Sequence, residues 1–131
     1  MTAKIGGDSI RFNVGFMSKN PAKYKALAAH PEFIPTIVSQ ENSINSRIYH
    51  YIPKAKIASI ACKIKSGDLI AITTSIKGLD ISHVGFAYWK GKKLHFLHAS
   101  SQFGKVIISE ETLADYVNGV KSNSGIVVLR P

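Results

Sequence analysis

The chain has 131 residues, of which 45% are hydrophobic, and this size and composition fit one domain with a modest core. Its net charge of +9 is typical of proteins with anionic partners, but only three of the 17 basic residues are Arg. No helix-turn-helix, RNA-binding or zinc-finger pattern is present, so the sequence argues against a nucleic-acid partner.

The single cysteine excludes an internal disulfide, and no apolar run approaches the 18 residues that a membrane span requires. The segment Met1–Gly7 lacks the apolar centre of a signal peptide. No repeats, linkers or low-complexity tracts interrupt the chain, and we therefore interpret residues 1–131 as one domain.

Prolines organise the first half of the chain into short helices. Pro21 predicts a helix that begins there and ends before Pro31, and Pro35 predicts the start of a second helix. A short strand is expected over Arg47–Ile52. Apolar residues at helical spacing then predict a third helix over Lys54–Ile64.

The second half is rich in β-branched and aromatic residues, which favour strands. The predicted elements are a strand over Asp68–Thr74, a loop to Asp80, a hairpin of Ser82–Trp89 with Lys92–Ala99, a strand over Lys105–Ser109, a helix capped by Ser109, a turn at Asn123–Gly125 and a strand over Ile126–Leu129. The predicted class is α+β, with a mostly antiparallel sheet and packed helices.

The predicted hairpin brings two histidines together. If Lys90 and Gly91 form a two-residue turn, Trp89 faces Lys92 and His83 lies directly opposite His98. Opposed residues have Cβ atoms roughly 5 Å apart and share a sheet face. His95, three positions before His98, then points to the other face.

Several chemistries fit a histidine pair. The two imidazoles could be a satisfied hydrogen-bonded pair, or they could be metal ligands with Asp80 as a third, although zinc sites usually need three or four well-placed ligands. Third, the two histidines could be the general base and the orienting group of a catalytic triad, which also requires a nucleophile. The sole candidate thiol is Cys62, and it falls near the C-terminal end of its predicted helix, whereas nucleophilic cysteines prefer helix N-termini.

A family resemblance favours the catalytic reading. The elements Gly67-Asp68-Leu69-Ile70, His83-Val84-Gly85 and His98-Ala99-Ser100 resemble the second half of an NlpC/P60-type, papain-like hydrolase. The longer string Gly78–Gly85, with Phe16-Met17-Ser18 upstream, resembles the N-acetylmuramoyl-L-alanine amidase-like family of bacterial cell-wall enzymes. The resemblance covers essentially the whole chain but only the C-terminal half or so of a family member.

The resemblance implies roles for particular residues. His83 would be the general base of a cysteine amidase and His98 would orient it, without a metal or another cofactor. The implied substrates are peptidoglycan fragments (muropeptides), and the implied location is the cell envelope or periplasm. The expected substrate-binding residues are Asp80, Ser82, Ser100, Met17 and Ser18.

The resemblance also implies that something is missing. The family's Asp-Cys-Thr-type nucleophile segment has no counterpart here, so we expect a truncated or inactive form, and alternatively a non-catalytic muropeptide-binding module. Without the nucleophile helix, one face of the sheet should be exposed, or covered by another copy of the chain or by a rearranged helix, and we expect self-association or marginal stability. That face would carry His83, Gly85, Ala87, Leu94, Phe96 and His98.

Overall fold

The computed structural model describes all 131 residues and contains one seven-stranded sheet in which every neighbouring pair is antiparallel. The α+β prediction with an antiparallel sheet is therefore confirmed. The strand order is β1-β2-β7-β3-β4-β5-β6. The strands are β1 (Asp8–Ile10), β2 (Tyr49–Pro53), β3 (Leu69–Thr74), β4 (Ile81–Lys90), β5 (Lys93–Ser100), β6 (Lys105–Ile108) and β7 (Asn123–Leu129).

The helices are short. They are α1 (Phe16–Lys19), α2 (Lys25–Ala29), α3 (Ile34–Asn45), α4 (Ile57–Ile60) and α5 (Leu113–Asn118), with 3-10 turns at 2–5, 21–23, 31–33, 54–56 and 61–63. The longest, α3, has 12 residues, and none of the helices combines the length and the apolar character needed to cross a membrane.

Some predicted elements differ in detail. The helix expected over Lys54–Ile64 is two 3-10 turns around the single turn α4. The turn expected at Asn123–Gly125 is the start of β7, because Thr73 and Thr74 of β3 pair with it. The cap of α5 is Thr112, whose hydroxyl accepts from the Asp115 N–H; Ser109, the predicted cap, instead fixes the preceding loop.

The core covers one face of the sheet, called here the inner face. Ile70, Ile72, Ile126 and Val128 point to it from β3 and β7, and they are fully buried. The covering residues come from three other segments, and they are Ile5 of the first turn, Ile57 and Ile64 around α4, and Leu113 and Val117 of α5. The face that carries His83 and Phe96 is not exposed, because the chain's own α5 and α4 regions cover it. Of the expected alternatives, the structure shows cover by the chain's own helices, and self-association stays a prediction.

The opposite face, called here the outer face, is exposed along β4. Val84, Phe86 and Tyr88 expose 48%, 45% and 39% of their surface, and Val106 and Ile108 of β6 continue the apolar strip. Side chains alternate between the two faces along β4, so each exposed apolar residue of this strand is the sequence neighbour of a residue on the inner face. The exposed apolar residues of β4 therefore lie on the face away from the histidine pair.

The β4–β5 hairpin has a different register from the predicted one. Its turn is Gly91-Lys92, with Gly91 at a φ of 60°, and Trp89 pairs with Leu94 in place of Lys92. The shift is two residues, which keeps every side chain on its predicted face, since strand side chains alternate with a period of two. The direct opposition of His83 and His98 is lost, but their common face is retained.

A buried ion pair closes the turn end of the inner face. The Asp68 carboxylate, 2% exposed, accepts bonds from Arg130 Nε and Nη2, both at 2.7 Å, and from the Lys65 N–H at 2.8 Å. The Arg130 hydrogen bond is the main reason that the pKa of Asp68 lies below its usual range. Asp68 therefore remains a charged anchor between the chain ahead of β3 and the end of β7.

Candidate functional site

The two predicted histidines meet at the end of the hairpin that lies away from its turn. His83 Nε2 and His98 Nδ1 are 2.8 Å apart, which is a hydrogen bond between two imidazoles. The β4–β5 ladder pairs residues only from Phe86 to Lys90, so His83 reaches His98 from beyond the last paired position. The contact is diagonal across the strands, which aromatic side chains can span.

Aromatic rings hold both imidazoles. Phe96 stacks on His98 with ring centres 4.9 Å apart, and it meets the His83 ring edge-on at 5.7 Å. Tyr116 of α5 packs against His98 at 5.0 Å. Gly85 makes this possible, because a Cβ there would lie 2.6 Å from the Phe96 ring. The glycine of the His-Val-Gly string thus has a packing role.

The environment of His98 favours its neutral form. The residue is 6% exposed, and burial lowers its pKa, with the charge of a protonated His83 acting in the same direction. A hydrogen bond to the Ala99 backbone and, more weakly, the nearby Glu111 carboxylate act in the opposite direction. Burial also raises the pKa of Tyr116, with Glu111 as the second cause. Both groups are therefore uncharged near neutral pH.

A cleft of about 650 Å³ opens beside the pair. Besides His83, His98 and Tyr116, it is lined by Ser100, Ser101, Gln102, Phe103, Lys105, Ile107, Ile108, Ser109, Glu110 and Glu111. His83 is half-buried, so its ring is accessible from this cleft while His98 lies behind it. A partly accessible imidazole backed by a buried hydrogen-bonding partner is the arrangement of a general base and its orienting group.

The cleft lining contains no cysteine. Cys62 is exposed and lies two residues before Ile64, whose carbonyl accepts from Trp89 Nε1 near the hairpin turn. Trp89 lies six positions after His83, which is roughly 20 Å along β4. No group of three or more His, Cys, Asp or Glu side chains is placed to hold a metal ion.

The predicted substrate-binding residues are divided between two places. Ser100 lines the histidine cleft and bonds the Phe103 N–H, whereas Asp80 and Met17 line a separate, more apolar groove between α1, α3 and the β3–β4 loop. Burial raises the pKa of Asp80. Ser82 points to the face opposite His83 and bonds Asn123 Oδ1, and the Ser18 N–H donates to Glu41 Oε1.

Sequence reasoning missed the part of the site that α5 and its preceding loop provide. Tyr116, Glu110 and Glu111 are not among the site residues that the sequence predicts. The spacing of Tyr116 from Leu113 and Val117 does predict a common helix face. Nothing in the local sequence shows that this face would pack on His98.

Comparison with known proteins identifies a family. The family described as AmiA-like, N-acetylmuramoyl-L-alanine amidase-like, matches residues 1–126. A Bacteroides uniformis crystal structure named as an N-acetylmuramoyl-L-alanine amidase is 39% identical, with a TM-score of 0.89. The match covers 98% of this chain and 55% of that one.

A Bacteroides fragilis crystal structure, named as a candidate xylanase, is 37% identical with a TM-score of 0.89. That match covers 99% of this chain and 57% of the other. The chain therefore spans a little over half the length of these similar structures. No match is found among curated proteins.

Proposed function

Because the chain belongs to the N-acetylmuramoyl-L-alanine amidase-like family, we propose that it supplies the base and the orienting group of a bacterial cell-wall cysteine amidase. The bond cleaved is the amide between N-acetylmuramic acid and L-alanine, or a nearby muropeptide amide. The observation that carries this proposal is the 2.8 Å contact between His83 Nε2 and His98 Nδ1 at the edge of an open cleft.

The proposed chemistry assigns a proton transfer to His83. With Nε2 bonded to His98, His83 Nδ1 is the nitrogen left to take the proton of a thiol. The thiolate attacks the amide carbonyl, and His83 returns the proton to the amine of L-alanine as the C–N bond breaks. Water then attacks the thioester, with His83 again taking its proton. His98 holds the tautomer and the orientation of His83 throughout.

The nucleophile is the element that this chain does not provide beside His83. Cys62 lies toward the opposite end of the sheet, so the proposal places the reacting thiol on another segment or chain. These 131 residues alone then bind muropeptides without cleaving them. Such binding is also what a non-catalytic muropeptide-binding module would show.

The proposed function also implies a fold and a cellular location for the whole protein. The histidine-bearing antiparallel sheet would be the C-terminal portion of an NlpC/P60-like, papain-like catalytic domain, in a protein of the cell envelope or periplasm. Ser100 would contact the muropeptide within the cleft. Asp80 and Met17 could contact only a substrate that extends into the second groove. Ser18 lines neither the cleft nor this groove, and Ser82 faces away from the pair.

Binding tests the substrate class directly. The ¹⁵N-labelled chain is titrated with N-acetylmuramoyl-L-alanyl-γ-D-glutamate and, separately, with xylotriose, and the histidine ring resonances are recorded. We expect the muropeptide to shift the His83 and His98 signals, while the exposed His30 serves as an internal control. Shifts with xylotriose alone, or none with the muropeptide at millimolar concentration, would contradict the proposal.

Turnover separates the enzyme from the binding module. In the native protein isolated from its cells, His83→Ala should lower the release of L-alanyl peptide by roughly 10²- to 10⁴-fold, the contribution of a positioned general base. His30→Ala should leave the rate unchanged. Equal rates for His83→Ala and the parent would reject the assignment of the base, and cleavage lost in Cys62→Ala would place the thiol on Cys62.

A further inference from the structure

One atom of the histidine pair lacks a hydrogen-bond partner. His98 Nε2 is the only buried side-chain nitrogen or oxygen in the chain without one. The His98 side chain is more than nine-tenths buried and lines the cleft, and its other nitrogen is taken by His83. Buried polar atoms normally have partners, so this nitrogen calls for a group to bond it.

The tautomers of the pair determine what that group must be. If His98 carries its proton on Nδ1, it donates to His83 Nε2, and His83 then carries its own proton on Nδ1, where a base needs a lone pair. If His98 carries its proton on Nε2, His83 donates from Nε2 and keeps Nδ1 free. Only the second arrangement gives a base that faces the cleft, and it requires an acceptor for His98 Nε2–H.

The only carboxylates in the cleft belong to Glu110 and Glu111. Their loop is fixed on β5 beside the pair, since the Ser109 N–H donates to the Phe96 carbonyl at 2.8 Å and the Ser109 hydroxyl donates to the Glu111 carbonyl at 2.8 Å. His95 Nδ1 adds a bond to the Ser109 carbonyl at 2.9 Å. The other side of the loop is held by the Thr112 cap of α5.

We propose that Glu111 is a positioning residue, whose carboxylate accepts the hydrogen of His98 Nε2, either after a side-chain rotation or across one water. This inference rests on the proposed function. It adds an acid to the two histidines, so that Glu111 fixes His98, His98 fixes His83, and His83 takes the proton. Glu111 is exposed, so its side chain is free to make this movement.

The other titratable side chains around His98 do not replace Glu111. His83 of β4 occupies Nδ1, and the Lys105 ammonium of β6, which also lines the cleft, has no lone pair with which to accept a hydrogen bond. Tyr116 of α5 is neutral and meets His98 with a ring contact. A hydrogen bond to the Ala99 backbone and, after it, the charge of Glu111 oppose the effect of burial on the pKa of His98, and Glu110 has no such effect.

The test reads the tautomers without any substrate. Long-range ¹H–¹⁵N spectra of the ¹⁵N-labelled chain distinguish protonated Nδ1 from protonated Nε2, and we expect Nε2–H on both histidines. Glu111→Ala should mix the two tautomers of His98 and lower its titration midpoint, because a nearby negative charge favours the protonated ring. Glu111→Gln should keep the Nε2–H tautomer but lower the midpoint, because the amide retains an acceptor oxygen without the charge.

Glu110→Ala is the matched control, since it removes an adjacent exposed carboxylate from the same cleft. Protonated Nδ1 on His98 in the parent chain would overturn the inference, and so would equal effects of Glu110→Ala and Glu111→Ala. Because no ligand is needed, the result is independent of the muropeptide titration. A tautomer that depends on Glu111 would stand even if muropeptide binding failed.

Discussion

The two faces of the β4–β5 hairpin differ although they alternate residue by residue. Ala87 and Phe96 are fully buried on the inner face, whereas their neighbours Phe86 and Tyr88 are exposed on the outer face. Both faces are apolar in sequence, so hydrophobicity does not decide which one is covered. Which face is buried depends on α5 and the α4 region, because they pack on only one of the two. The face that they cover is the one that holds the histidine pair.

The largest expected change in stability comes from replacing one phenylalanine on each face of the hairpin by alanine. Phe96→Ala should lower the free energy of unfolding by about 3–5 kcal/mol, because it leaves a cavity between the core and both imidazoles. Phe86→Ala should cost well under half as much, since that ring is already 45% exposed. Urea unfolding of both variants measures the difference, and equal losses would mean that the outer face is covered in solution.

The sequence predicted which hairpin residues share a face of the sheet, but not which face the helices cover. Period-two patterning assigned the hairpin residues to their faces, and a two-residue error at Gly91 left those assignments intact. Gly91 can occupy either position of a two-residue turn, so local turn chemistry did not fix the register. The contact of His98 with Tyr116 joins positions 18 residues apart, and no local pattern encodes the packing of α5 on that histidine.

The functional site, like the fold, could be predicted from the sequence only where local patterns determine it. A string of motif residues was enough to select His83 and His98 and to place them on one face. The acidic loop carrying Glu111 has no pattern of its own. Its position depends on Ser109, whose hydroxyl accepts from the Phe96 N–H of β5 and donates to the Glu111 carbonyl. The same dependence on distant contacts explains why Asp80 was expected beside His83 and lies in the other groove.

A second comparison uses the two buried polar groups at the ends of the inner face, since Asp68 has a cationic partner and His98 Nε2 has none. Asp68→Asn should cost about 1.5–3 kcal/mol at pH 7, the range for a hydrogen bond to a charged group. The folded-state pKa of Asp68 is lowered, so this stabilisation is present above the unfolded pKa and is lost as pH falls through the folded one. Parent and variant should therefore converge in acid.

Asp8→Asn is the control for that measurement. It removes the same charge from an exposed pair with Lys56, for which about 0–1 kcal/mol is expected. Urea unfolding at pH 7 and at stepwise lower pH compares the two variants. A cost for Asp8→Asn that matches the cost for Asp68→Asn would show that burial on the inner face adds nothing to the ion pair.

The smallest expected effect concerns His98, the buried group without a cation or anion bonded to it. Burial lowers its folded-state pKa below the unfolded value near 6.5, so between these two values the unfolded chain binds more protons than the native chain. The free energy of unfolding should therefore fall as pH drops below about 6.5. It should level off below the folded-state pKa, where both states are protonated.

Replacing His98 by Gln removes the titrating group and should flatten this part of the curve, whereas Phe86→Ala on the outer face should keep the slope of the parent. Urea unfolding between pH 7 and 5, at constant ionic strength, measures all three chains. A parent curve that rises as pH falls would mean that protonation stabilises the pair, as it would if Glu111 held an ion pair with His98 strong enough to outweigh burial. The sign of the slope thus decides whether burial or the carboxylate dominates at the histidine end of the inner face.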